Sequence, residues 1–306
     1  MLYRDLGTSG LKVSEIGFGC ASWWGQPAFS ERDAIGLVDL ALDRGITLFD
    51  TGPAYSRGAA EGRLGRALSN HRTDDLIIST KAGTTFHQGR VVRDMSPPAI
   101  EASLLKSLGR LGLKQVSLMQ LHGPSAAELT EPFLAFLGGL KRKGLTRLIG
   151  VNSFDPLVIA KAISLPEIDV VMLDYNLLRP ERASLIAEAR RAGKGVLAGM
   201  PLAMGHTGRK VMQIRAPRDI WYALRALRHH RRDIVDGARF DFLDRFEGLT
   251  GSQAALAWVL ENEHIASAVT GTTRTKHLIE NLRASGLELP EPLRLQIAKA
   301  QSEIPR

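Results

Sequence analysis

Short apolar runs rich in β-branched residues alternate along the chain with segments whose apolar positions recur at helical spacing. SEIGFGC (14–20) precedes a helical pattern over 30–43, ITLFDTG (46–52) one over 59–68, LIISTKAG (76–83) one over 97–111, and VSLMQLH (116–122) one over 134–143. The alternation continues with TRLIGVN (146–152) before 156–163, DVVMLDYN (169–176) before 181–192, GVLAGMPL (195–202), and SAVTGTT (267–273) before 276–284. Eight strands and their helices in 306 residues predict an α/β fold, a closed (β/α)8 TIM barrel. A doubly wound sheet shares the local pattern, but no G-x-G-x-x-G follows the first run, which favours the barrel.

Two segments stand outside the repeat in what is expected to be one domain over 1–306. Residues 1–13 hold two short extended pieces around Gly7-Thr8-Ser9-Gly10, the pattern of a hairpin able to plug a barrel end. An insertion over 203–248 separates the seventh strand from a helix beginning near Ser252, and 285–306 forms a C-terminal tail. Within the insertion Ile220, Leu224 and Leu227 share a helical face, while Arg218, Arg225, Arg228, Arg231 and Arg232 lie elsewhere. Two readings of this basic stretch, 209–239, stand: a solvated helix face, or a dock for an anionic ligand or surface.

With 44% apolar and 24% charged residues, the chain suits a large packed core. The excess of 40 Lys and Arg over 32 Asp and Glu bears on association rather than fold. Only Trp221 and Tyr222 interleave with the arginines, a weak signature for single strands, so nucleic acid is not an expected partner. No run reaches the eighteen or so apolar residues of a membrane span, and the opening MLYRDLGTSG lacks the features of a signal peptide. One cysteine, Cys20, excludes an internal disulfide and a multi-cysteine zinc site, and no other ligand cluster suggests a metal. A cytoplasmic protein is the expectation.

In a βα barrel, reactive side chains gather at the carboxyl ends of the strands. The second strand ends in Asp50 with Tyr55 in the loop behind it, the third ends in Lys81 and the fourth in His122. An unperturbed phenol, with a pKa of about 10, is a weak acid at neutral pH, and a neighbouring ammonium stabilises its phenolate. Lys81 supplies that ammonium, Asp50 holds it in its charged form, and His122 donates to a carbonyl oxygen or relays its proton, so Tyr55 reads as a general acid. Each residue also has a structural reading, as ion pair, loop residue or surface ring; their convergence on one mouth favours chemistry.

The chain resembles the aldo-keto reductases over nearly its whole length, through FDTGPAY with EGRLGRAL, ISTK, MQLH, IGVNSF, VVMLDYN and GTTRTKHLIENL. The resemblance implies a (β/α)8 barrel that binds NADPH, less often NADH, without a dinucleotide-binding domain, and a catalytic Asp, Tyr, Lys and His at Asp50, Tyr55, Lys81 and His122. It implies reversible reduction of a small aldehyde or ketone to an alcohol. A cofactor-binding regulatory protein with little turnover is the alternative on the same barrel.

The resemblance also marks cofactor positions, some with departures. Asn152-Ser153 stands where relatives carry Ser-Asn, and Met172 where they carry a Gln, which removes one contact to the nicotinamide carboxamide. Gly199-Met200-Pro201-Leu202 lacks the stacking aromatic, leaving Met200 as a soft replacement, and Cys20 packs near the ring. Gly271, Thr272 and Thr273 open a helix at which phosphate is favoured. Arg274 is matched to an adenosine 2′-phosphate, His277 replaces an arginine, and Glu280 and Asn281 resemble adenine contacts. Trp23, Trp24 and Phe86 are expected to line the substrate pocket.

Overall fold

The structure, a computed structural model, describes residues 1–205, 207 and 231–304. Strands β1 (Tyr3–Asp5) and β2 (Lys12–Ser14) pair antiparallel as a hairpin. Then come β3 (Ile16–Gly19), α1 (Glu31–Asp43), β4 (Leu48–Asp50), α2 (Ala59–Leu68), β5 (Ile77–Ala82), a hairpin of β6 (Thr84–His87) and β7 (Arg90–Arg93), α3 (Pro97–Leu111) and β8 (Val116–His122). The second half runs α4 (Glu131–Arg142), β9 (Thr146–Asn152), α5 (Pro156–Ile163), β10 (Val170–Asp174), α6 (Ala183–Arg191) and β11 (Gly195–Gly199). It ends with α7 (Arg231–Gly237), α8 (Gly251–Leu260), β12 (Ser267–Thr270), α9 (Thr275–Leu282) and α10 (Glu291–Ser302). Eight parallel strands close in the order β3-β4-β5-β8-β9-β10-β11-β12, and β12 pairs back to β3.

Local chemistry accounts for several boundaries. The Ser30 hydroxyl accepts from the Asp33 amide at 3.4 Å and starts α1. Thr250 and Gln253 cap α8 reciprocally. Helix α4 begins at Glu131, three residues before the expected 134–143, because Pro132 carries no amide hydrogen and suits a first turn. The pattern expected over 181–192 opens as a tighter turn, Pro180–Arg182, before α6.

Alternation along the strands builds the barrel interior in layers. Leu48, Ile77, Leu118, Leu148, Val170 and Leu197 fill the lower level, with Leu6 and Val13 of the β1–β2 hairpin in the same apolar cluster. Two residues further along β4, β5, β8 and β10 stand Asp50, Ser79, Gln120 and Met172, and two beyond those on β5 and β8 stand Lys81 and His122. A Cβ at Gly150 would lie 3.1 Å from the Gln120 side chain, so that glycine leaves room for the amide. The other strand face packs against the helices in a larger cluster that includes Phe18, Phe49, Ile78, Met119 and Ile149.

Two features escaped expectation. The β6–β7 hairpin follows directly on the Lys81 strand. The tail over 285–306 is largely α10, whose Leu293, Ile297 and Ala300 pack with Phe240 and Leu243. The end of the insertion is helical, as α7 and a following tight helical stretch, Ala238–Asp244. Arg218, Ile220, Trp221, Tyr222, Leu224, Arg225, Leu227 and Arg228 lie outside the described residues. Among the described residues no helix is long and apolar enough to cross a membrane.

Candidate active site

Strand register brings the ionisable groups together. Asp50 on β4 faces Ser79 on β5, Lys81 faces Gln120 on β8, and His122 faces Asn152 on β9. Lys81 donates to the Asp50 carboxylate through Nζ, and also to the Thr51 carbonyl at 3.1 Å. Below it the Ser79 hydroxyl donates to Asp50 Oδ1 at 2.9 Å and the Gln120 amide donates to the same oxygen at 3.0 Å. Asp50, Lys81, Ser79 and Gln120 are all buried. A charge pair removed from water needs its remaining donors and acceptors met; Ser79 and Gln120 donate to the carboxylate, and the Thr51 carbonyl accepts from the ammonium. Sequence reasoning passed over Ser79 and Gln120, although each sits two positions before a strand-end ionisable residue on the same face.

The Tyr55 ring lies over this pair, with Lys81 Nζ 5.0 Å from its centroid. Burial works against the Lys81 charge, but the Asp50 carboxylate and the Tyr55 phenol outweigh it and hold the pKa above that of an ordinary lysine. His122 packs edge-on to Tyr55, ring centroids 6.0 Å apart. Burial first, and the Lys81 cation second, push the His122 pKa from 6.5 down to about 4, against the pull of Asp50. The imidazole is therefore neutral at pH 7. Among the described residues its Nδ1 is buried without a partner. A bare lone pair is cheaper to bury than an unpaired N–H, which assigns the proton to Nε2.

That assignment carries a stability signature. The unfolded histidine titrates near 6.5 and the folded one near 4, so between those values the unfolded chain binds more protons and stability falls as pH falls. The loss is up to about 3 kcal/mol, complete near pH 4 and absent above the ordinary histidine range. Urea midpoints at pH 7.5 and 4.5 should show it, and His122→Gln should flatten that part of the profile; an unchanged slope in the variant would refute the shift.

A cavity of about 650 Å³ opens above these groups. Asp50, Tyr55, Lys81 and His122 share it with Trp23, Trp24, Asn152, Met172 and Met200, and with Gly271, Thr272, Thr273, Arg274 and His277 on the far side. Trp24 is 1% exposed and packs edge-on to Phe18, so it is as much core as wall. Phe154, Met204 and Val269 also line the cavity and were not anticipated. A Cβ on Gly199 would lie 3.3 Å from the Met172 methyl and 3.6 Å from the Phe154 ring, placing both around that strand end.

Six expected residues lie elsewhere. Cys20 is wholly buried in the strand–helix core, where burial and then the Asp50 charge keep its thiol pKa well above the ordinary value. Ser153 lines a neighbouring groove with Asp155 and Leu157, its hydroxyl accepting from the Asp155 amide at 3.2 Å. Leu202 packs against the hydrophobic clusters. Phe86 lies beneath the Arg57 guanidinium rather than on the cavity, because β6 and β7 carry it outward as a hairpin. Glu280 faces a separate groove of about 750 Å³ with Gln253, Lys276 and Arg283, and Asn281 is buried one residue further round α9.

The aldo/keto reductase family model matches residues 15–298. An uncharacterized oxidoreductase of Bacillus subtilis, YqkF, is 29% identical over 294 residues, covering 93% of this chain and 91% of that protein. The NADH-specific methylglyoxal reductase of Escherichia coli is 25% identical over 315 residues, covering 94% of each. Among solved structures, the holo form of the aldo-keto reductase AKR11C1 from Bacillus halodurans superposes with a TM-score of 0.81 at 26% identity, covering 98% of this chain and 96% of that one. A barrel with these strand ends, matched along nearly all its length, belongs to the aldo/keto reductase family of oxidoreductases.

Proposed function

We propose that the chain reduces an aldehyde or ketone to an alcohol, reversibly, with NADPH as cofactor and Tyr55 as proton donor. The observation that carries the reading is the buried Lys81–Asp50 pair beneath the Tyr55 ring on a cavity that also holds a neutral His122. When bound, the reduced nicotinamide supplies hydride to the carbonyl carbon. Tyr55 then gives its hydroxyl proton to the carbonyl oxygen, and the phenolate left behind faces the Lys81 ammonium. Asp50 keeps that ammonium charged and in place. His122 Nε2–H donates to the same oxygen without introducing a second cation. In oxidation the phenolate accepts the alcohol proton.

The chain's own residues fit such a cofactor. Asn152 offers a donor and an acceptor for the carboxamide. Met172, Phe154 and Met200 present soft apolar surface to a flat ring. A Cβ at Gly271 would come 2.8 Å from the Gly19 carbonyl oxygen, so only a bare backbone lets the eighth strand turn out here. Beyond it α9 starts at Thr275, the end of a helix where backbone amides favour an anion, and Arg274 is its N-cap residue.

The Arg274 guanidinium suits a 2′-phosphate, and this favours NADPH although one relative is NADH-specific. Arg274→Ala should weaken NADPH binding about 10- to 100-fold, the worth of one charged hydrogen bond, and NADH less than about 2-fold. Fluorescence titration measures both, and equal losses would reject the assignment. The reading as a whole is tested by stopped-flow oxidation of NADPH against a panel of aldehydes and ketones. An inert wild-type protein that still binds the cofactor would point instead to the regulatory role. We place the protein in the cytoplasm, since its one thiol is buried and needs no oxidising compartment.

A further inference from the structure

We propose that Arg57 is a positioning residue whose stack on Phe86 holds the Tyr55 turn against the strand that carries Lys81. The inference rests on the reading of Tyr55 as proton donor and adds to it what keeps that donor in place.

Ser56 and Arg57, directly after Tyr55, have φ values of 50° and 60°, and Gly58 follows at 84°. Glycine accepts such a conformation, whereas residues with a Cβ are held in it only when their surroundings impose it. Gly58 lies close to Arg110, where a Cβ would meet the guanidinium at 3.2 Å. Arg110 in turn donates to the buried Glu61, whose other oxygen accepts from Thr80, the residue before Lys81. On the other side the turn meets the loop after β3, since a Cβ at Gly25 would lie 2.7 Å from the Ser56 side chain.

Arg57 is exposed, and its guanidinium carbon stands 5.0 Å over the Phe86 ring. That ring sits on a fixed platform. Thr84 donates to the His122 carbonyl at 3.0 Å, Arg93 donates to the Gly123 carbonyl at 2.9 Å, and Phe86 pairs with Val91 across the hairpin. A closed circuit results: Tyr55 leads in two residues to Arg57, Arg57 stacks on Phe86, Phe86 lies five residues past Lys81, and Lys81 returns to the Tyr55 ring. If Arg57 relaxes to an ordinary backbone conformation, the chain leaving Tyr55 swings and the phenol leaves the ammonium.

The test is pre-steady-state carbonyl reduction by Arg57→Ala, Arg57→Lys, Phe86→Leu and the Arg57→Ala/Phe86→Leu pair, with Tyr55→Phe in the same series. Arg57→Ala and Phe86→Leu should each lower kcat about 2- to 5-fold, as expected for an exposed cation–π contact, with cofactor Kd and carbonyl KM changed less than about 2-fold. Arg57→Lys should restore most of the loss, and the double variant should be no slower than either single one. An unchanged kcat in Arg57→Ala, multiplicative losses in the pair, or a fall confined to KM would overturn the latch. Should Tyr55→Phe react as fast as wild type, the proton-donor reading falls and the latch with it. A dead Tyr55→Phe beside a normal Arg57→Ala removes the latch alone.

Discussion

Tyr55→Phe should slow carbonyl reduction by about two to four orders of magnitude, the range that a positioned general acid supplies. The ring remains, and with it the packing against His122 and the cover over Lys81, so NADPH affinity and thermal midpoint should stay near wild type. Only the hydroxyl is lost, and the carbonyl oxygen then has no phenolic proton to take up as hydride arrives. Single-turnover rates at saturating cofactor separate this from a binding defect. Turnover within about 10-fold of wild type would mean that another group gives the proton, since one decade is well below a general acid's contribution.

Lys81→Met should be the most destabilising of the substitutions considered. It leaves the Asp50 carboxylate buried with its main partner gone, and an uncompensated buried charge of this kind costs about 3–5 kcal/mol. Lys81→Met/Asp50→Leu removes both charges and should recover much of that loss without recovering activity, because neither variant has an ammonium below the phenol. Denaturant midpoints and single-turnover rates on the three proteins distinguish the two effects. If Lys81→Met is as stable as wild type, the pair is not held in the dry environment described above.

Much of the barrel was legible because parallel strands in a barrel keep period two, and a change of chemistry on one face marks the level at which the apolar filling stops. Asp50, Lys81 and His122 stood out because charged or titratable residues end otherwise apolar runs. Ser79 and Gln120 lie on the same strand faces and were passed over, since an uncharged side chain does not announce a buried partner. The Arg57–Phe86 contact was illegible for another reason: it depends on left-handed backbone angles and a hairpin turn at Gln88-Gly89, neither of which appears in hydrophobic spacing. Phe86 was accordingly assigned to the pocket, whereas its ring lies beneath the Arg57 guanidinium. Helix α10 carries Leu293, Ile297 and Ala300 at helical intervals, but a small residue at the third position weakens the contrast between faces. Leu202, Ser153 and Asn281 were placed by resemblance to a motif, which locates a backbone position without saying which way the side chain turns.

The first sixteen residues are fastened to the last sixty. Ile16 pairs with Ala268, Arg4 donates to the carbonyls of Leu260, Asn262 and Ile265, and the Gly286 amide donates to the Glu15 carboxylate. On a ribosome these partners emerge far apart in time, so the ring of strands is expected to stay open, with its apolar edges exposed, until its last strand has been made. A nascent chain of this design should therefore depend on chaperones that shield unpaired strand edges more than a protein of equal size built from local contacts.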